Sequence, residues 1–275
     1  MLRLNYLWRL AMTGLAFALF SEGGLLLTLL VFPFLKLVPA ADGRRCRLAR
    51  RVIQRAFAVF IGFMCRVGIM TLEVKDGERL RAAQGMLVLA NHPTLIDVVA
   101  IIARMREANC VVKAALWDSP FLGGVVRTTG YIRNDDSETL IADCARSLQQ
   151  GDNLVIFPEG TRTVPGAPLK FQRGAAHIAL ASGAPILPVV LSCTPSTLTK
   201  DKRWYQIPPQ RFHFTLEVGE PLQVAALVPP DTPSSLASRR LSEALQHYFS
   251  QALARKETVH EYAATRDQAA DHLRA

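Results

Sequence analysis

In Asn91-His92-Pro93-Thr94-Leu95-Ile96-Asp97 an imidazole and a carboxylate stand five positions apart. On one continuous helix that spacing would put them on different faces. Pro93 disfavours helical geometry at His92 and suits a first helical position. The expectation is therefore a strand-exit turn holding His92 and a helix from 93 to 105 carrying Asp97 about one turn in, so that the two side chains meet. A carboxylate on one imidazole nitrogen fixes the tautomer and leaves the other nitrogen free to take a proton. No serine or cysteine nearby forms a nucleophile elbow, so direct attack by a substrate hydroxyl is simpler than a covalent enzyme intermediate. From this loop alone, a capping histidine beside a solvated aspartate reads the same way.

A second loop, Phe157-Pro158-Glu159-Gly160-Thr161-Arg162, follows an apolar run at 153–157. Gly160 permits close backbone approach to a ligand, Thr161 adds a hydroxyl, and Arg162 offers a planar fork for phosphate. Glu159 would hold an arginine or a substrate hydroxyl, and Lys170 and Arg173 keep this strand exit basic. His177, His213, His247, His260 and His272 lack comparable carboxylate spacing in a strand-exit loop and read as ordinary core or surface residues.

Both loops need strands to carry them. Apolar runs at 86–90, 110–116, 131–133, 153–157 and 186–191 read as strands, and 211–218 alternates like an exposed or edge strand. Helical patterns occupy 137–150, with Ser137 as a cap, 175–182 before Gly183, and 236–255. Such alternation gives an α/β fold, a mainly parallel sheet covered by helices, whose ligands bind at the carboxyl ends of the strands. We divide the 275 residues into a membrane-associated helical segment (1–70), a catalytic α/β domain (71–228) and a C-terminal helix and tail (229–275).

The net charge of +9 is concentrated at the front: residues 1–70 hold ten basic and two acidic side chains. These arginines flank apolar segments with no base-stacking or groove-reading motif, so anionic lipid head groups fit better than nucleic acid. The apolar run between Arg9 and Lys36 is interrupted only by Ser21-Glu22-Gly23-Gly24. Read as one helix it spans a bilayer with Glu22 near the centre; read as two halves with a Glu-Gly-Gly turn it is a hairpin in one leaflet. Basic residues at both ends favour the hairpin. A cleaved signal ending at Ala16-Phe17-Ala18 is disfavoured because the apolar run continues past it. Residues 44–66 then read as a basic amphipathic helix, at the interface or packed on the domain. Five widely spaced cysteines form no C-x-x-C pair. Reduced thiols are expected, and with them a catalytic domain on the cytoplasmic face of the inner membrane.

The pair Asn91-His92-(four residues)-Asp97 and Phe157-Pro158-Glu159-Gly160-Thr161-Arg162, in this order, resembles the two signature blocks of the glycerolipid acyltransferases, the 1-acylglycerol-3-phosphate acyltransferase family. The resemblance covers about residues 85–195, and Pro185-Ile186-Leu187-Pro188-Val189 is similar to the family's last block. It implies a membrane-bound O-acyltransferase of phospholipid biosynthesis using acyl-CoA or acyl carrier protein. His92 would be the base, Asp97 its orienting partner, and Glu159 and Arg162 part of the acceptor-phosphate site. In Gly130-Tyr131-Ile132-Arg133 the arginine stands closer to the glycine than is usual in the family. Arg133 is kept as an acceptor-site residue, with another lysophospholipid or hydroxylated lipid open as acceptor. Two other readings are a thioesterase, in which water replaces the lipid hydroxyl, and a non-catalytic lipid-binding protein. No dinucleotide loop, Walker loop or H-E-x-x-H is present, so no cofactor is expected beyond the thioester co-substrate.

Overall fold

The structure is a computed structural model that describes residues 2–38, 43–135, 139–164, 166–229 and 231–272. Its strands are β1 (Met70–Lys75), β2 (Leu87–Ala90), β3 (Asn109–Lys113), β4 (Ile132–Asn134), β5 (Leu154–Ile156), β6 (Ile186–Thr194) and β7 (Phe212–Val218). They form one seven-stranded sheet in the order β1-β7-β6-β2-β5-β3-β4, parallel throughout except for the antiparallel β6–β7 pair. The helices are α1 (Leu2–Leu26), α2 (Phe32–Leu35), α3 (Arg44–Arg66), α4 (Gly77–Ala82), α5 (Asp97–Ile102), α6 (Ala114–Trp117), α7 (Gly123–Thr129), α8 (Leu140–Gln149), α9 (Gly174–Ser182), α10 (Val224–Leu227) and α11 (Ser234–His272). The fold is α/β, as expected, with helices on both faces of the sheet.

Strand β2 shows why the sheet sits in the middle. Its four residues are all fully buried; Val88 and Ala90 join the cluster that includes Ile53 of α3 and Val99 of α5, while Leu87 and Leu89 join Leu148 of α8 and Leu245 of α11. A strand buried on both faces reads as an unbroken apolar run rather than an alternation. Strand β7 lies between β1 and β6, which corrects the expectation of an edge strand at 211–218. The missed neighbour is β1, whose half-buried residues cover that side. The helical pattern at 137–150 begins at Leu140; Ser137 lies outside the described residues. The strand expected at 110–116 ends at Lys113 and gives way to α6, and the last helix runs on past residue 255.

The N-terminal segment departs most from expectation. No turn forms at Glu22-Gly23-Gly24; α1 runs through it into a π-helical turn at Leu27–Val31 and then α2. Gly24 serves packing instead: a Cβ there would lie 2.7 Å from Leu122 Cδ2 and 3.0 Å from the Phe121 carbonyl oxygen. The chain pairs antiparallel with α3, since Trp8 bonds the Val67 carbonyl, Phe20 stacks near Phe57 and Phe60, and Arg45 bonds the Lys36 carbonyl. The helical hairpin is thus made by α1–α2 against α3. Residues 3–35 are long and apolar enough to cross a membrane by length and composition. Helix α3 buries Ala49, Ile53, Ile61 and Met64 against the domain and leaves most of its arginines outside.

Candidate active site

Strand β2 delivers the site through Asn91. Its side-chain amide donates to the Leu191 carbonyl at 2.8 Å, and its Oδ1 accepts the Leu191 N–H at 2.7 Å. These two bonds continue the ladder to β6 with a side chain, so the backbone is released at His92 and leaves the sheet.

His92 is held on three sides by the loop after β5. Its N–H donates to Glu159 Oε1 at 2.7 Å, its carbonyl accepts the Thr163 N–H at 2.9 Å, and its ring stacks on Phe157 with centroids 4.1 Å apart. Nδ1 lies 2.7 Å from Asp97 Oδ2. A carboxylate only accepts, so Nδ1 carries a hydrogen, and in the neutral ring Nε2 is the nitrogen with the lone pair. The His92 side chain is 20 % exposed, enough for a substrate to reach, while Asp97 is 0 % exposed.

Asp97 opens α5 rather than sitting a turn inside it, which corrects the helix expected from Pro93. Thr94 explains the shift. Its N–H donates to Asp97 Oδ2 at 2.7 Å and its hydroxyl donates to Asp97 Oδ1. The Leu95 N–H goes to the Leu198 carbonyl at 3.1 Å. Residues 94–96 therefore form a turn, with the carboxylate reaching back three positions as in a capping box. Burial pushes the Asp97 carboxyl above the usual aspartate range, while hydrogen bonds from His92 and Thr94 pull the other way. Sequence reasoning misses Thr94; the T-x-x-D spacing is its signal.

Glu159 is only 7 % exposed. Burial raises its carboxyl to about 7, opposed by the His92 N–H and ring and reinforced by Asp97. Gly160 has φ +69°, a conformation that suits glycine, and Thr161 is half-buried beside it. Arg162 spends one nitrogen on the chain itself: Nη1 donates to the carbonyls of Leu198 and Thr199 at 2.9 and 3.0 Å. The second loop thus braces the first directly through Glu159, Phe157 and Thr163.

Arg133 stands apart. Strand registers place it level with Ala90 at the carboxyl end of the sheet, but on edge strand β4, three strands away. At about 4.8 Å per strand that is roughly 14 Å. Its guanidinium faces Asp135 at 3.8 Å.

Against the His92–Asp97 turn lies a cavity of about 230 Å³. Leu95, Ile96, Val98 and Val99 form one wall, with Ala16, Phe17 and Phe20 of α1 and Phe60 and Met64 of α3 among the other lining residues. Among the described residues no group of three or more His, Cys, Asp or Glu is arranged to hold a metal. The arrangement provides a buried-carboxylate/imidazole base beside a space shaped for hydrocarbon.

Residues 71–192 match the family described as Acyltransferase. The Homo sapiens 1-acyl-sn-glycerol-3-phosphate acyltransferase beta is 28% identical over 189 residues, 66% of this chain and 63% of that protein. The Mus musculus 1-acyl-sn-glycerol-3-phosphate acyltransferase alpha is 28% identical over 180 residues, 62% of this chain and 61% of that one. The match thus spans a little under two thirds of these relatives' length. A Helicobacter pylori 1-acyl-sn-glycerol-3-phosphate acyltransferase reaches 36% identity over 112 residues, 38% of this chain and 47% of its own. The crystal structure of the 1-acyl-sn-glycerophosphate (LPA) acyltransferase PlsC from Thermotoga maritima shares the fold. Its TM-score is 0.70 at 18% identity, over 94% of this chain and 98% of that one.

Proposed function

Residues 71–192 match the family described as Acyltransferase, and on that premise we propose that this chain moves a fatty acyl group from a thioester to the hydroxyl of a lysophospholipid, 1-acylglycerol-3-phosphate or a close analogue. The observation that carries this reading is the continuity of base and cavity. The turn that pairs His92 with Asp97 at 2.7 Å also lines the apolar cavity with Leu95 and Ile96.

In the proposed reaction His92 Nε2 takes the proton of the acceptor hydroxyl as its oxygen attacks the thioester carbonyl. The carbon–oxygen bond forms, the tetrahedral intermediate collapses, and the carbon–sulfur bond breaks. The imidazolium then returns its proton to the leaving thiolate, and Asp97 stabilises the transient charge. Acyl-CoA or acyl carrier protein supplies the thioester, the acyl chain lies in the cavity, and no further cofactor takes part. Gly160, Thr161 and the unspent nitrogens of Arg162 face the acceptor phosphate, with Glu159 fixing the loop. Arg133, three strands away, is given no contact with the reacting atoms.

We place the reaction at the cytoplasmic face of the inner membrane, in phospholipid biosynthesis. The support is the exposed apolar face of α1, with Leu7, Leu15, Leu19 and Leu26 open, next to the arginines of α3. The test offers purified protein a panel of lysolipids with labelled acyl-CoA and acyl carrier protein, with products identified by mass spectrometry. Acylated lysophosphatidate is the expected product. Release of free fatty acid without any acylated lipid would overturn the reading in favour of a thioesterase.

A further inference from the structure

We propose that the loop from 200 to 206 is a second membrane-docking element, separate in sequence from the N-terminal helices, that seats its aromatic pair at the head-group level of an anionic bilayer. The inference goes beyond acyl transfer but rests on the membrane reading of α1.

The loop presents Trp204 and Tyr205 to solvent, 45 % and 43 % exposed. A lone exposed aromatic residue needs no explanation, but this pair is flanked by exposed Lys200, Lys202 and Arg203, with Asp201 as the loop's one carboxylate. Indole and phenol rings beside cations have the chemistry of a membrane interface, where the ring is half-immersed and the charge meets phosphate.

The position of the loop fits as well. The Trp204 indole lies against Gly14 of α1, where a Cβ would come within 3.3 Å of its ring, and its centroid is 6.0 Å from that of Phe17. The buried guanidinium of Arg9 fastens the next stretch to the same helix by donating to the carbonyls of Pro208 and Pro209. Loop and helix are therefore one surface, continuous with the exposed side chains of Leu7, Trp8 and Leu15. Either side of the loop, Leu198 and Ile207 line the cavity. Docking would hold that cavity against the lipid from which its substrates come.

The chain has three tryptophans, so a W8F/W117F protein reports Trp204 alone and a W117F/W204F protein reports Trp8 alone. Each is reconstituted at full length with phosphatidylcholine vesicles, with or without phosphatidylglycerol, whose acyl chains carry bromine at shallow or deep positions. On anionic vesicles Trp204 emission should shift to the blue and be quenched more by shallow than by deep bromine. The double change Lys202→Gln/Arg203→Gln should weaken docking about fivefold per cation. Quenching of Trp8 with no effect on Trp204 overturns the proposal and leaves the membrane reading of α1 standing; no quenching of either overturns both. Equal quenching on neutral vesicles overturns the role given to the cations. The unaltered chain gives a second measurement: anionic vesicles should protect Lys200, Lys202 and Arg203 from trypsin, and unchanged cleavage there counts against docking.

Discussion

Glu159 Oε1 sits 2.7 Å from the backbone nitrogen of His92, so a side chain from the loop after β5 holds the main chain that carries the imidazole. The carboxylate expected to face the acceptor is committed, through one oxygen, to placing His92, the proposed base. Glu159→Ala should therefore lower kcat by about 100-fold, as small misplacements of a reacting group do, with little change in acceptor KM. Glu159→Gln keeps an oxygen acceptor and should recover most of the loss. Steady-state kinetics decide it: a change confined to acceptor KM would return Glu159 to substrate binding.

The same carboxyl links stability to pH. Its value rises from 4.5 to about 7 on folding because it is buried. The folded protein thus binds more protons than the unfolded chain between these limits, and stability from this group falls as pH rises through that window. Thermal unfolding from pH 4.5 to 7 should show a downward slope in Tm that Glu159→Gln makes shallower. An unchanged slope would place the titrating group elsewhere.

His92→Ala should cost roughly 10²–10⁴ in kcat with the fold retained, the range for a lost general base. Asp97→Asn should lose nearly as much, because an amide can hold the wrong tautomer. Near-normal turnover by a folded His92→Ala protein would falsify the mechanism.

Arg162→Lys keeps the charge but loses the planar fork. Because Nη1 also bonds Leu198 and Thr199, the variant should raise acceptor KM and loosen the Leu198 segment together. Acceptor kinetics and hydrogen exchange at 197–199 read the two effects separately; unchanged KM removes Arg162 from the phosphate site.

Two adjacent glycines of α1 should respond in opposite directions. A methyl added at Gly23 would meet nothing within 4 Å, so Gly23→Ala should gain about 0.5–1 kcal/mol of helix stability. Gly24→Ala would press on Leu122 and Phe121 and should lose about 1–3 kcal/mol. Thermal unfolding in detergent distinguishes them, and equal responses would mean that Gly24 is not a packing contact.

Much of this is readable from residue types. The α/β class follows from apolar runs alternating with helical patterns, and the meeting of His92 and Asp97 follows from Pro93 and a five-residue spacing. The start of α5 is not readable, because it depends on where the donors of Thr94 and Leu95 go, and one of those partners, Leu198, is remote in sequence. Gly23-Gly24 looks like a turn because local sequence cannot show that Leu122 will occupy the space beside Gly24. Strand β1 escapes because Thr71, Glu73 and Lys75 dilute its apolar residues. Arg133 looks close to the site by motif order, whereas distance across the sheet is set by strand order.

The cavity wall has a consequence for modularity. Since Arg9, Thr13, Ala16, Phe17 and Phe20 of α1 line the cavity beside the His92 turn, the N-terminal helix is also a wall of the space that the proposed reaction gives to the acyl chain. An engineer who replaces the N-terminal helices, or trims the chain to the sheet and its neighbours, removes one wall of that cavity with them. Chimaeras of this fold should be cut with α1 and α3 kept on the catalytic side of the junction, and chain-length preference should travel with the helix rather than with the loops that bear the base.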